Sequence, residues 1–164
     1  MSLLFKILLV FSILFSYSCA VDTKAEESEE NIRCLAKNIY FEARSESMAG
    51  WLGVADVTLN RVSSKRFPNS ICEVVFQGPK YANSSLPVRH KCQFSWYCDG
   101  KSDDIVDIDM YSEISYFVRT ITKDTSRFDI TEGATHYHHH TINPFWAKSM
   151  TKTVRIDSHI FYRN

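Results

Sequence analysis

The stretch that decides the fold reads IRCLAKNIYFEARSESMAGWLGVADVTLNRV and covers residues 32–62. Its first part repeats apolar residues at the three- and four-residue spacing of one helical face: Ile32, Leu35, Ala36, Ile39 and Ala43. A second helix is predicted from Ser47, and its apolar residues cover most of its circumference: Met48, Trp51, Leu52, Val54, Ala55, Val57, Leu59 and Val62. Such a helix is typical of a protein interior. The stretch therefore predicts two consecutive helices, the second of them buried.

The rest of the chain adds short elements around this pair. The breaker FPN at 67–69 precedes a short helix predicted over 70–76 and capped by Ser70. Residues 77–109 are rich in Gly, Pro, Asn, Ser and Asp and predict a loop. A helix is predicted over about 110–123, and strands over 154–156 and 160–162. The predicted fold class is α+β, a mostly helical domain over 31–164 with a small C-terminal β element.

The N-terminus has the order of a secretory signal. Lys6 precedes an apolar run over 7–15, and the small residues Ser16, Ser18 and Ala20 follow it. Residues 1–20 are therefore predicted to be a signal peptide, with an uncleaved anchor or lipidation at Cys19 as alternatives. Residues 21–30 are acidic and predict a flexible linker. We expect export to the periplasm, cell envelope or extracellular space, and membrane contact only through the N-terminal segment.

Charge and cysteine content narrow the kinds of protein that this chain can be. Residues from Asn31 onward carry 17 Lys and Arg against 14 Asp and Glu, which lacks the basic density of a nucleic-acid binder. Without Cys19, four cysteines remain, an even number that suits an oxidising compartment. They allow three disulfide connectivities. We favour Cys34–Cys72 and Cys92–Cys98, with four buried free thiols as the alternative.

Glu42 is the first candidate for chemistry. On a helix it lies about 20° from Leu35, at the border of the apolar face. Burial disfavours an ionised carboxylate and raises its pKa, as a general acid requires near neutral pH. The alternative is a solvated or salt-bridged glutamate, with Arg44 as an available partner.

Ten short blocks lie along the chain: IYFEAR (39–44), VADV (54–57), LNRV (59–62), RFPNSIC (66–72), VVFQ (74–77), CQFSW (92–96), CDG (98–100), GATHYH (133–138), NPFWA (143–147) and RI with HIFYR (155–163). Together with Gly50, these blocks resemble the SleB/CwlJ family of cell-wall hydrolases in residue and in order. Several dispersed blocks in order are more specific than any single motif. The resemblance implies a lysozyme-related fold and cleavage of peptidoglycan between N-acetylmuramic acid and N-acetylglucosamine, with Glu42 as the catalytic residue. The chain departs from many members at Ser45-Glu46-Ser47, where they carry Gly after the EAR motif.

The resemblance also implies substrate contacts. Gln93 and Phe94 resemble a glycan-contacting motif, and Tyr137 and His136 belong to the late family motif. Ordinary core packing is the alternative for Phe94.

The number of available carboxylates bears on the mechanism. Common glycosidases use two carboxylates. The candidates for a second one, Asp99 and Glu46, are each expected to be a loop cap or a surface charge. A single Glu suits a lytic transglycosylase, which forms a 1,6-anhydro product without water; muramidase-type hydrolysis stays open.

The histidine run over 136–140 supports a rival hypothesis. His136 and His138 would point the same way on a strand, and zinc sites use such imidazoles. A zinc-dependent amidase or peptidase is therefore an alternative, although no HExxH motif is present. A non-catalytic wall-binding module is a third possibility. We expect a monomer without metal or cofactor.

Overall fold

The structure, a computed structural model, describes residues 26, 28–123, 126 and 128–164. The predicted signal peptide and most of the predicted linker lie outside these residues. In the part of the chain described, no helix is long and apolar enough to span a membrane.

The first helix, α1, includes residues 28–43, and α2 spans Met48–Ser63. Helix α1 thus takes in residues 28–30, which the sequence analysis assigned to a flexible linker, so the boundary at residue 31 was too late. Within these residues Glu29 forms an exposed ion pair, in which Arg119 Nη1 lies 2.5 Å from Glu29 Oε1. Ser47 caps α2 by accepting a hydrogen bond from the Gly50 N–H.

The main core lies where the apolar faces of α1 and α2 meet α4, which spans Ile108–Lys123. Leu35 and Ile39 of α1, Val54 of α2, and Ile114 and Val118 of α4 are fully buried. Burying such a side chain stabilises the fold by about 1.5–3 kcal/mol. Helix α4 therefore holds the α1–α2 pair in place.

Helix α3, Ile71–Val75, is capped by Ser70 as predicted. It is joined to α1 by a disulfide between Cys34 and Cys72. A second disulfide joins Cys92 and Cys98. Both pairings are the ones favoured from the sequence.

The long loop is anchored by its aromatic residues. Its only regular helical element among the described residues is a 3₁₀ turn, Ser95–Cys98. Trp96 stacks on Phe41, with ring centroids 4.7 Å apart, and its Nε1 donates to Asn38 Oδ1 at 2.9 Å. The Gln93 N–H donates to the Gln77 carbonyl at 2.9 Å. The segment around Trp96 is therefore packed against α1, whereas residues 80–86 of the loop are mostly exposed.

Three antiparallel strands form the sheet in the order β1-β3-β2. They are β1 (His136–His139), β2 (Thr151–Ile156) and β3 (His159–Arg163), and a 3₁₀ helix, Phe145–Ser149, precedes β2. The predicted strands lie within β2 and β3, whereas β1 was foreseen only as part of the zinc hypothesis. The helices and this small sheet confirm the predicted α+β class.

The α1–α2 turn is clamped to the β2–β3 turn. The Glu46 carboxylate accepts hydrogen bonds from Ser158 N–H and Oγ, and the Asp157 carboxylate accepts from Ser47 N–H at 3.0 Å and Ser47 Oγ at 2.6 Å. The Ser45-Glu46-Ser47 departure from the family pattern thus supplies two side chains that fix the sheet to the helices.

Candidate active site

All five predicted catalytic and substrate-binding residues line one cleft of about 610 Å³: Glu42, Gln93, Phe94, His136 and Tyr137. Helix α1 contributes the glutamate, the long loop contributes Gln93 and Phe94, and β1 contributes the other two. A concave site with a few convergent polar groups is the usual form of a ligand-binding site in an enzyme.

Glu42 and Tyr137 form the centre of the cleft. The Tyr137 hydroxyl donates a hydrogen bond to Glu42 Oε2 at 2.9 Å. Burial raises the pKa of Glu42, and this outweighs the opposing effects of Tyr137 and of the Arg61 charge. Burial, together with the Glu42 charge, also raises the pKa of Tyr137 well above its usual value, so the phenol stays protonated and remains a donor. The arrangement favours a protonated carboxyl with one oxygen held in place.

Arg44 does not pair with Glu42. Its Nη1 donates to the Tyr40 carbonyl at 3.3 Å, and its guanidinium lies 4.9 Å from the centroid of the Tyr40 ring. The alternative of a surface salt bridge at Glu42 is therefore wrong for this partner.

Gln93 and Phe94 occupy different environments. Gln93 is exposed at the cleft, where its amide can both donate to and accept from a sugar. Phe94 is only 2% exposed and packs with Val74, Val75 and Trp96. Its ring has little free surface for a sugar, so the core-packing alternative describes Phe94 better than sugar stacking does.

The histidines are held by neighbouring protein groups. His136 Nδ1 lies 3.0 Å from Thr135 Oγ1, and burial, reinforced by Arg61 and Arg66, lowers its pKa to about 4. His138 Nδ1 lies 2.9 Å from the His139 carbonyl, and its Nε2 lies 3.0 Å from the Tyr162 hydroxyl. Both ring nitrogens of His138 are thus engaged. Within the described residues no group of three or more His, Cys, Asp or Glu side chains is arranged to hold a metal ion.

Neither candidate second carboxylate faces Glu42 across the cleft. Asp99 accepts from the Lys101 N–H at 2.8 Å and caps its own turn. Glu46 is used by Ser158. Both act as the local structural groups that the sequence analysis expected.

Sequence reasoning did not assign Arg61, Trp146 or His159 to the site, although all of them line the cleft. Trp146 packs its ring against His136 and His138 at centroid distances of 5.4 and 5.6 Å. His159 is 6% exposed, and its ring meets Tyr137 edge to face at 5.0 Å. For Arg61, the sequence signal was its position inside the apolar helix α2, where burying a charge is unfavourable.

We expect Tyr137→Phe to lower kcat about 10- to 100-fold, because it removes a charge-assisted hydrogen bond worth roughly 1.5–3 kcal/mol from the Glu42 carboxylate. Steady-state kinetics on solubilised peptidoglycan measure the effect. Tyr116→Phe, which alters an exposed tyrosine on α4, is the matched control. An unchanged kcat in Tyr137→Phe would show that the hydrogen bond has no part in the reaction.

Comparison with known proteins places this site in a family. The family model described as Cell Wall Hydrolase matches residues 45–162, beginning just after Glu42. The spore cortex-lytic enzyme of Bacillus subtilis (strain 168) is 46% identical over 50 residues, which cover 30% of this chain and 16% of that protein. The spore cortex-lytic enzyme of Halalkalibacterium halodurans is 28% identical over 144 residues, which cover 87% of this chain and 37% of that protein. The chain thus spans well under half the length of these relatives.

Solved structures agree with the sequence matches. The catalytic domain of the germination-specific lytic transglycosylase SleB from Bacillus anthracis superposes with a TM-score of 0.58 at 25% identity, covering 81% of this chain and 93% of that one. The catalytic domain of Bacillus cereus SleB gives the same TM-score at 24% identity, covering 82% of this chain and 91% of that one. The predicted family is confirmed: the chain belongs to the cell wall hydrolase family.

Proposed function

We propose that this protein cleaves peptidoglycan glycan strands between N-acetylmuramic acid and N-acetylglucosamine, and that it does so as a lytic transglycosylase. The observation that carries the proposal is the partly buried carboxyl of Glu42, which the Tyr137 hydroxyl holds and which is the one carboxyl among the described residues that line the cleft. The B. anthracis relative with this fold is a lytic transglycosylase by name. Peptidoglycan lies outside the cytoplasmic membrane, so the proposal agrees with the predicted export of the chain.

In the first step Glu42 acts as an acid. It gives its proton to the glycosidic oxygen, the bond from muramic acid C1 to that oxygen breaks, and the electron pair leaves with the N-acetylglucosamine oxygen. The muramyl ring is left with oxocarbenium character, and Glu42 is left as a carboxylate. A raised pKa suits this step, because the carboxyl must carry a proton when the substrate binds.

In the second step the same carboxylate acts as a base. It takes the proton from the muramyl 6-hydroxyl while that oxygen bonds to C1, which closes the 1,6-anhydro ring and restores the acid. The reaction requires neither a water molecule nor a second carboxylate. The positions of Asp99 and Glu46 in local structural roles favour this route over a two-carboxylate hydrolysis.

Gln93, exposed at the cleft, and His136, uncharged at neutral pH, are the proposed polar contacts for the glycan. Trp146 joins them as an aromatic wall beside His136 and His138. Aromatic faces stack on sugar rings, and neutral amides and imidazoles bind hydroxyl and acetamido groups.

Mass spectrometry of the soluble fragments from purified peptidoglycan tests the proposal. Digestion in EDTA is expected to give muropeptides with 1,6-anhydro ends, each lighter by one water than the hydrolysis product. Cortex and vegetative peptidoglycan are compared in parallel. Ordinary reducing muramic ends would instead show muramidase-type hydrolysis, and intact glycan with cut peptides would refute glycosidic cleavage.

A further inference from the structure

Arg61 is a buried arginine whose guanidinium lies beside the cleft. It is 4% exposed. Its Nε donates to the Thr135 carbonyl at 2.8 Å. Its Cζ lies 5.3 Å from the centroid of the Phe67 ring and 4.8 Å from that of Phe94. One hydrogen bond and two aromatic rings therefore fix the position of the charge.

The protein does not neutralise this charge in the usual way. Within residues 28–123 and 128–164 the ion pairs are Arg119–Glu29 and Lys101–Asp99, so Arg61 belongs to neither. Its Nη1 is buried and has no hydrogen-bond partner among the described residues. A buried charge without an ion-pair partner destabilises a fold. The position of this charge at the cleft points to a role in the site.

The groups that respond to this charge include the two at the centre of the site, and His136 beside them responds as well. The Arg61 charge favours the ionised form of Glu42 and of Tyr137. Arg61 on α2, Glu42 on α1 and Tyr137 on β1 line the same cleft, so three elements converge here.

We propose that Arg61 is a positioning residue for both steps of the reaction: its fixed charge stabilises the carboxylate that Glu42 becomes after giving up its proton. The proposal rests on the proposed function, because it requires Glu42 to act as the acid. Coulombic attraction is weakly screened in a buried site and acts beyond contact distance. Arg61 can therefore stabilise the anion without touching the sugar. Tyr137 holds one carboxylate oxygen, and Arg61 sets the balance between the acid and base forms.

Other titratable groups also face Glu42 and must be separated from Arg61 in any test. Tyr137 and His136 come from β1, and His159 comes from β3. Burial lowers the pKa of His159 as it lowers that of His136. His138 and His139 line the same cleft. A titration of the Glu42 carboxyl itself, by carbon-13 NMR of labelled protein, reports on this group without contributions from the histidines.

The test compares the full chain with Arg61→Gln, Arg61→Met and Arg61→Lys. Neutralising Arg61 removes an interaction that favours ionised Glu42, so the Glu42 titration is expected to move to higher pH in the Gln and Met variants. The alkaline limb of kcat/KM should move with it, because the acid form persists to higher pH. We expect kcat to fall about 100- to 1,000-fold, as when one preorganised charge-stabilising group is removed, with little change in KM. Arg61→Lys should keep the titration near that of the wild type. Arg33→Gln, an exposed arginine on α1, is the matched control.

Two neutral variants keep the test decisive. The Gln amide can still donate to Thr135, and the Met side chain fits the apolar space between Phe67 and Phe94, where an apolar replacement of a buried charge is often tolerated. Cooperative thermal unfolding identifies the variants that fold. An unchanged Glu42 titration in either folded neutral variant overturns the proposal, and so does an equal shift in Arg61→Lys. If the wild type does not cleave peptidoglycan, the NMR titration still reports the coupling, so failure of the proposed function is recognised separately.

Discussion

Glu42→Gln is expected to lower kcat on peptidoglycan by about 10⁴-fold, the upper end of what general acid–base catalysis contributes. The upper end applies because the same carboxyl serves as acid in the first proposed step and as base in the second. Glutamine keeps the size of the side chain and can still accept a hydrogen bond from Tyr137, so substrate binding should be retained. Release of soluble muropeptides measures the rate, and cosedimentation with insoluble peptidoglycan measures binding.

The same variant should be at least as stable as the wild type at neutral pH. Because burial raises the pKa of Glu42 in the folded state, folding favours its protonated form. The stabilisation is complete below the unfolded pKa and is lost as pH rises through the folded pKa. At neutral pH the desolvated carboxyl therefore lowers the free energy of unfolding of the wild type, and glutamine removes this destabilisation. Thermal unfolding should show a higher Tm for Glu42→Gln at pH 7 and a smaller difference at pH 4.

Two other substitutions separate loss of chemistry from loss of structure. Glu113→Gln alters an exposed residue on α4 and should change neither activity nor Tm. Glu46→Gln weakens the hydrogen bonds that the Glu46 carboxylate accepts from Ser158, so it should lower Tm and leave kcat nearly unchanged. A Glu42→Gln variant that still cleaves glycan at the wild-type rate would show that the catalytic acid is another residue. If kcat fell as far in Glu46→Gln as in Glu42→Gln, a two-carboxylate mechanism would be favoured instead.

The helical half of the fold was predictable because its information is local. The repeat of Leu35, Ile39 and Ala43 marks the buried face of α1 directly, and Ser70 marks the start of α3. The position of Glu42 at the border of that face followed from the helical period alone. Local patterns therefore predicted the helices and the border position of Glu42, whereas its expected catalytic role came from the resemblance to the family.

The surroundings of Glu42 depend on contacts between distant parts of the chain. Tyr137 reaches Glu42 across 95 residues, and Arg61 reaches the Thr135 carbonyl across 74. Strand β1 is nearly all histidine and lacks the alternation of a half-buried strand, so its pairing with β3 supplies what its own sequence does not. Phe94 could not be assigned from the sequence either, because a loop aromatic has no periodic neighbours to show whether it is buried.

Removal of the Cys34–Cys72 disulfide is expected to lower the free energy of unfolding by about 4 kcal/mol. The bond closes a loop of sequence separation 38, and the chain-entropy model relates that length to this cost. Total stabilities of about 5–15 kcal/mol make the loss a large share. The bond joins α1, which carries Glu42, to α3, so the variant should also bind peptidoglycan less tightly as its fold loosens. Urea unfolding of Cys34→Ala/Cys72→Ala measures the change.

The second disulfide supplies the matched comparison. Cys92–Cys98 has a sequence separation of 6, for which the same model gives about 2 kcal/mol. It closes the segment that carries Gln93, and Cys92 itself lines the cleft. Cys92→Ala/Cys98→Ala should therefore mainly raise KM and lower the free energy of unfolding by the smaller amount. Cys34→Ala/Cys72→Ala should mainly lower the free energy of unfolding. Equal unfolding midpoints for wild type and Cys34→Ala/Cys72→Ala would show that the packing of α1 against α2 and α4 holds the helix without the covalent link.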